Sequence, residues 1–170
     1  MTSRLKTLTA TCGAVTTLVA TIALEPLPLY IWNTSPSVPI GLYRLRPAER
    51  FHVTELVAVR PPEPLATILD LNGYLPAGLP MLKRVLALPG QTVCRSGFTI
   101  SLDTIAVGEA RDRDGRGRPL PKWQGCRIVR DGELFLMNWQ SDDSLDGRYF
   151  GFLPVSAVIG RAVPLWTWEE

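Results

Sequence analysis

An uncharged stretch, residues 7–24 (TLTATCGAVTTLVATIAL), begins just after Arg4 and Lys6 and stops at Glu25. As a helix it would be about 27 Å long at ~1.5 Å per residue, just enough to cross the hydrocarbon core of a bilayer. Its threonines and alanines make it only moderately apolar, so a cleaved signal peptide and a surface helix are the two other readings. Its length exceeds the usual apolar region of a signal peptide, and Glu25-Pro26-Leu27-Pro28 offers no clean small-x-small cleavage site. The pattern therefore predicts one retained transmembrane helix. The basic residues before it place the N-terminus in the cytoplasm and everything after Pro26 outside. No second stretch is long enough to cross.

Beyond this segment the apolar runs are short. Residues 29–43 form an extended segment broken by Pro36 and Pro39, leading from the membrane into the domain. Residues 55–60 (ELVAVR) predict a strand stopped by Pro61-Pro62, and residues 61–80 a loop-rich connection whose TILDLNGYL portion is a short helix or turn. Residues 81–88 (MLKRVLAL) are apolar on both sides of a Lys-Arg pair and end at a Pro89-Gly90 turn. Hairpin strands follow in 91–107, further strands in 127–139 and 152–168, and no internal repeat is detectable. The charged, turn-rich run 111–121 (RDRDGRGRPLP) predicts a solvated loop. Its DRDG matches half of a calcium loop, but the later bidentate acid is missing.

Composition agrees with this reading. The 15 prolines and 14 glycines spread among short apolar runs favour many strands joined by turns. A chain of 170 residues has room for one mainly β domain and one anchor. The division expected is residues 1–28 as cytoplasmic N-terminus and anchor and 29–170 as an exported domain. With 18 Lys and Arg against 16 Asp and Glu, nothing points to a nucleic-acid partner. Cys12 falls in the anchor, whereas Cys94 and Cys126 fall where a disulfide can form and persist. Two buried thiols are the other reading. A bridge would close a loop of about 30 residues and add a few kcal/mol. His52 is the only histidine and there is no CxxC, so a zinc site is not expected.

The same lone histidine makes a Ser-His-Asp protease hard to assemble. A lysine can serve as the base instead when burial lowers its usual pKa of about 10.4 by several units. Lys83 sits among Met81, Leu82, Val85 and Leu86, where its side chain can enter an apolar wall; an exposed strand lysine is the bland alternative. Ser37 lies between Pro36 and Val38-Pro39, a stiff backbone that holds a hydroxyl in one direction. Ser35 would project to the same side of an extended chain and donate to a developing oxyanion beside the Ser37 amide. Taken alone, serines in a Pro-rich loop are mostly turn formers.

Three blocks give these residues a context: SPSVPIGLY (35–43), LKRVLALPGQTV (82–93) and SLDGRYFGFLPVSAVIGRA (144–162). In order and content they resemble the bacterial signal peptidase I superfamily over nearly the whole chain. The resemblance implies a signal-peptidase-like β domain with Ser37 as nucleophile, Lys83 as general base and Ser35 as an oxyanion hydroxyl. It also implies that Ser144 orients the lysine, with Asp146 and Arg148 as a supporting ion pair; an ordinary surface pair would be worth under ~1 kcal/mol. Classical members carry Gly-Asp-Asn where this chain has Met137-Asn138-Trp139. The first block, the short length, the single anchor and the cysteines bracketing GRPLPKWQGC are more similar to the conjugative-transfer, TraF-type branch.

That likeness implies a membrane-anchored serine endopeptidase on the periplasmic side of the bacterial inner membrane. Its substrate would be an exported precursor, for this branch a conjugative pilin propeptide, released by hydrolysis or by cyclisation. Its other partner would be the lipid bilayer. A Ser/Lys dyad needs no cofactor. The alternatives are a general signal peptidase acting broadly on secreted proteins and, from another class, an inactive pilin-binding assembly module. A self-cleaving repressor of similar chemistry conflicts with the N-terminal stretch and the lack of a DNA-binding helix pair.

Overall fold

A computed structural model of the protein describes residues 2–24 and 27–168. The Glu25-Pro26 step, on which the lack of a cleavage site was partly read, lies outside the described residues. Helix α1 (Thr2–Leu24) contains a segment, Ser3–Ala23, long and apolar enough to cross a membrane. Leu5, Leu8, Val15, Leu18, Val19 and Ile22 are all exposed on it. The threonines that lower its apolarity are folded into the helix. Thr7, Thr9, Thr11 and Thr17 donate their hydroxyls to carbonyls four residues back, and Thr21 to one three residues back. These hydroxyls therefore need no water, which removes much of the cost of placing them in hydrocarbon.

The rest is mainly β, as the pattern predicts. Strands β1 (Tyr30–Asn33), β2 (Ile40–Arg46), β3 (Leu56–Val59), β4 (Met81–Ala87), β9 (Glu133–Leu136), β10 (Phe152–Pro154) and β11 (Val158–Trp168) make one antiparallel sheet in the order β1-β2-β11-β3-β4-β9-β10. Strands β5 (Thr92–Ser96), β6 (Thr99–Leu102), β7 (Ile105–Glu109) and β8 (Gly125–Ile128) make a second, ordered β7-β6-β5-β8. Two short α-helices, α2 (Leu65–Leu71) and α3 (Gly147–Phe150), and a 3₁₀ turn at Val155–Ala157 complete it.

One local reading changes. Residues 29–43 are not one extended segment but the hairpin β1–β2, folded back at Pro36-Ser37, because Tyr43 is buried and its hydroxyl closes onto the Pro39 carbonyl at 2.5 Å. Residues 91–107 do form hairpin strands, β5, β6 and β7 in a meander. Gly41 is needed where β2 crosses β11: its φ is +144°, and a Cβ there would come within 2.1 Å of the Trp166 carbonyl oxygen. The register of β11 shifts at that point, between Pro164 and Trp166.

All of β3 is buried, and five of the seven residues of β4 are. Val38, Tyr43, Leu45, Leu56, Ala58, Leu82 and Ala162 make one core cluster, and Val57, Val59, Val85, Leu134, Leu136, Leu153 and Ala157 make another. Lys83, near the middle of β4, is thus kept from water despite its polarity. In the second sheet Cys94 and Cys126 face each other across β5 and β8 and are joined, with Cα atoms 4.0 Å apart. The bond closes a loop between residues 32 apart in sequence. Replacing both cysteines by alanine should lower stability by about 3–4 kcal/mol from lost loop constraint. Thermal unfolding of the wild type with and without dithiothreitol, beside the double variant, measures this; a variant melting with the oxidised wild type would contradict it.

Candidate active site

The serine turn is built by Asn33. From the end of β1, its buried side-chain amide donates to the carbonyls of Ser35 (2.8 Å), Val38 (3.1 Å) and Pro39 (3.1 Å), and its Oδ1 accepts from the Ser35 N–H (3.2 Å). One side chain thereby supplies the partners that a β ladder would otherwise give this backbone. The Ser35 hydroxyl donates to Ser37 Oγ at 3.2 Å, and the Ser37 N–H donates to Ser35 Oγ at 3.4 Å. Ser35 and Ser37 do lie on one side, but across a turn rather than along a strand.

Lys83 enters from β4, buried, with Nζ donating to Ser144 Oγ at 2.8 Å. Among the described residues no carboxylate lies within ion-pair distance of it and no hydrogen bond joins it to Ser37. Burial holds its pKa down at about 8; nearby Asp146 raises it, and Arg148 lowers it again. Ser35, Ser37, Lys83 and Ser144 line one cavity of about 630 Å³, whose apolar wall includes Ile31, Leu69, Leu75, Leu79 and Leu145.

Behind the lysine lies a buried ion pair. Asp146 Oδ1 accepts from Arg148 Nε at 2.9 Å and from its N–H at 3.2 Å, while Oδ2 accepts from Arg148 Nη2 and from the Asn138 N–H, each at 3.0 Å. Arg148 also donates to the carbonyls of Ser141 (2.6 Å), Ser144 (3.0 Å) and Glu109 (3.2 Å). At 0% and 1% exposure this is no surface pair, and removing one partner from such a pair typically costs 3–5 kcal/mol. The Asp146 carboxylate is fully engaged, and none of its hydrogen bonds goes to Lys83. Gly147 is constrained as well, since a Cβ there would stand 2.7 Å from the Leu136 carbonyl oxygen.

The family is decided by sequence. The profile "Signal peptidase, peptidase S26" matches residues 1–168. The chain belongs to the signal peptidase family. A "Probable conjugal transfer protein TraF" of Sinorhizobium fredii is 35% identical over 160 residues, covering 88% of this chain and 84% of its own. A "Probable signal peptidase I-1" of Synechocystis is 32% identical over 111 residues, covering 65% of this chain and 52% of its own. The crystal structure of a signal peptidase I from Enterococcus faecalis aligns at TM-score 0.40 and 19% identity, covering 66% of this chain and 97% of that one.

Within this signal peptidase-family chain, two residues that sequence reasoning passed over organise the site. Asn33 shapes the serine turn. Asn138 clamps the lysine strand: its Nδ2 donates to the Leu82 carbonyl (3.1 Å) and its Oδ1 accepts from the Arg84 N–H (3.0 Å), the peptide groups on either side of Lys83. The only sequence signal for Asn138 is its place in Met137-Asn138-Trp139, where the family pattern departs. Cys94 and Cys126 lie in the second sheet and do not line this cavity. Residues 111–121 form a largely exposed loop, as expected, and it is docked on residues 72–74 through Asp114 and Arg118. The His52 ring is exposed beside Glu55, and among the described residues no cluster suited to a metal is present.

Two outcomes follow for stability. Between about pH 8 and 10.5 the unfolded chain holds a proton on Lys83 that the folded chain lacks, so this group makes stability rise with pH across that window. Below about 8 the cost of charging the buried amine is fully present. Lys83→Met should therefore be more stable than wild type by about 3 kcal/mol at pH 7, with the gap closing towards pH 10.5, as read by urea unfolding across pH. Asn138→Ala strands a buried carbonyl and a partly buried N–H and should lose about 2–4 kcal/mol in the same assay; a loss below ~0.5 kcal/mol would contradict the clamp.

Proposed function

We propose that this chain is a membrane-anchored serine endopeptidase in which Ser37 is the nucleophile and Lys83 its general base. The observation that carries the reading is a buried lysine with no carboxylate partner among the described residues, held by Ser144 on the wall of the cavity that Ser37 lines. A pKa near 8 leaves a useful neutral fraction at physiological pH. Neutral Lys83 takes the Ser37 proton as Oγ attacks the scissile carbonyl, and an acyl-enzyme forms as the proton passes to the leaving amine. The two side chains meet when substrate fills the cleft, since catalytic hydrogen bonds commonly tighten only then. The Ser35 hydroxyl and the Ser37 amide stabilise the oxyanion, one such donor being worth on the order of 3 kcal/mol. That amide donates to Ser35 Oγ in the structure, and the oxyanion takes over the bond.

Water resolves the acyl-enzyme to a hydrolysed product, and the substrate's own amino terminus resolves it to a cyclic one. The substrate lies extended along a strand edge. Residues 1–28 serve as cytoplasmic N-terminus and anchor, and 29–170 as the catalytic domain on the periplasmic face of the bacterial inner membrane. Family membership and likeness to conjugal transfer proteins support a precursor as the substrate; we take it to be an exported one, a conjugative pilin propeptide.

Co-expression with a candidate pilin precursor, read by intact mass, tests the dyad. Ser37→Ala and Lys83→Ala should each abolish the processed mass while the full chain still inserts in the membrane. A product one water lighter than the linear chain identifies cyclisation. The processing rate should climb as pH rises through about 8, because only the neutral amine accepts the proton. Processing that persists in both variants would sink the dyad and leave a binding module.

A further inference from the structure

A second cavity, of about 380 Å³, adjoins the catalytic cleft and shares Tyr74, Asp143 and Leu145 with it. Arg111, Arg113, Arg116 and Arg118 line it. Two of the four are already engaged, Arg111 by Asp142 and Asp143 and Arg118 by Asp114. The other two are not. Arg113 donates only to the Gly117 carbonyl, and among the described residues no carboxylate lies within ion-pair distance of Arg113 or Arg116.

The loop that carries them is a built element. Asp114 accepts from Tyr74 Oη (2.8 Å), from the N–H groups of Arg116 (2.9 Å) and Arg118 (2.8 Å), and from Arg118 Nε (2.7 Å). Arg118 also stacks 4.3 Å over the Tyr74 ring and donates to the Asn72 carbonyl. Burial pushes the Asp114 carboxyl up, but the bonds from Tyr74, Arg118 and Arg116 outweigh it and hold the group well below the usual carboxylate range. Asp114 is thus ionised and spent on its own loop. The same residue, Tyr74, braces this loop and forms part of the cleft wall, so the backbone that carries Arg113 and Arg116 is held beside a peptide bound there.

Building on the protease reading above, we propose that this cavity is a substrate subsite that takes a carboxylate of the bound peptide, from a Glu or Asp side chain or from a chain end, at a point away from the scissile bond. Guanidinium groups suit this ligand because they present paired donors to both carboxylate oxygens.

The test uses the full chain in detergent with Ser37→Ala, so that binding is read without cleavage. The probes are fluorescein-labelled alanine-serine decapeptides in matched pairs, Glu against Gln at each position with amidated ends, and free against amidated C-terminus. A carboxylate should tighten binding about tenfold over its amide partner, at one register of Glu or at the chain end, and which one distinguishes the two sources. The gap should close in Arg113→Gln/Arg116→Gln. Equal binding within every pair, or a preference that survives in the double variant, overturns the proposal. Since the readout is binding, it stands apart from the processing assay, in which unchanged cleavage by Ser37→Ala would remove the protease reading alone.

Discussion

Taking a lysine ammonium into the middle of a buried strand costs several kcal/mol, and among the described residues no carboxylate meets it there. The surrounding structure is arranged around that cost. Lys83 is kept dry because β3 and β4 are covered by core clusters. Its Nζ has Ser144, and its flanking peptides have Asn138. Asn138 is set by Asp146 through its own N–H, and Asp146 by Arg148. Arg95, buried in the second sheet beside the disulfide-bonded Cys94, donates to the Arg148 carbonyl. A continuous line of polar contacts therefore runs from the small sheet to the base of the cleft. The Asp146 carboxylate is present but occupied by Arg148, which limits how far it can restore the lysine's charge.

Apolar neighbours made a buried Lys83 conceivable and a proline-bounded segment made a fixed Ser37 conceivable, but each has a blander reading. It was the resemblance of SPSVPIGLY and LKRVLALPGQTV to signal peptidase blocks that singled out Ser35, Ser37 and Lys83. The serine segment turns where an extended chain was expected. The run of strands followed from short apolar stretches punctuated by proline and glycine. Asn33 and Asn138 were not legible, since an asparagine in a strand or loop looks the same whether it faces water or caps a neighbouring backbone; only register distinguishes them. The burial of Asp146 and Arg148 was hidden for a related reason: a charged pair two residues apart has the composition of a surface. Residues 111–121 look like a loose loop until Tyr74, about 40 positions earlier, is seen to accept it.

The short link between helix and site has a mechanical meaning. Thirteen residue-to-residue steps lead from Leu24 to Ser37 (37 − 24), and even fully extended they reach no farther than about 45 Å. Only β1 lies within that length, and the chain turns back into β2 beyond Ser37. As a membrane anchor, α1 would act as a ruler as well as a tether. Peptide bonds held close above the bilayer could be presented to the serine turn, while the same sequence carried free in the surrounding compartment would pass out of range.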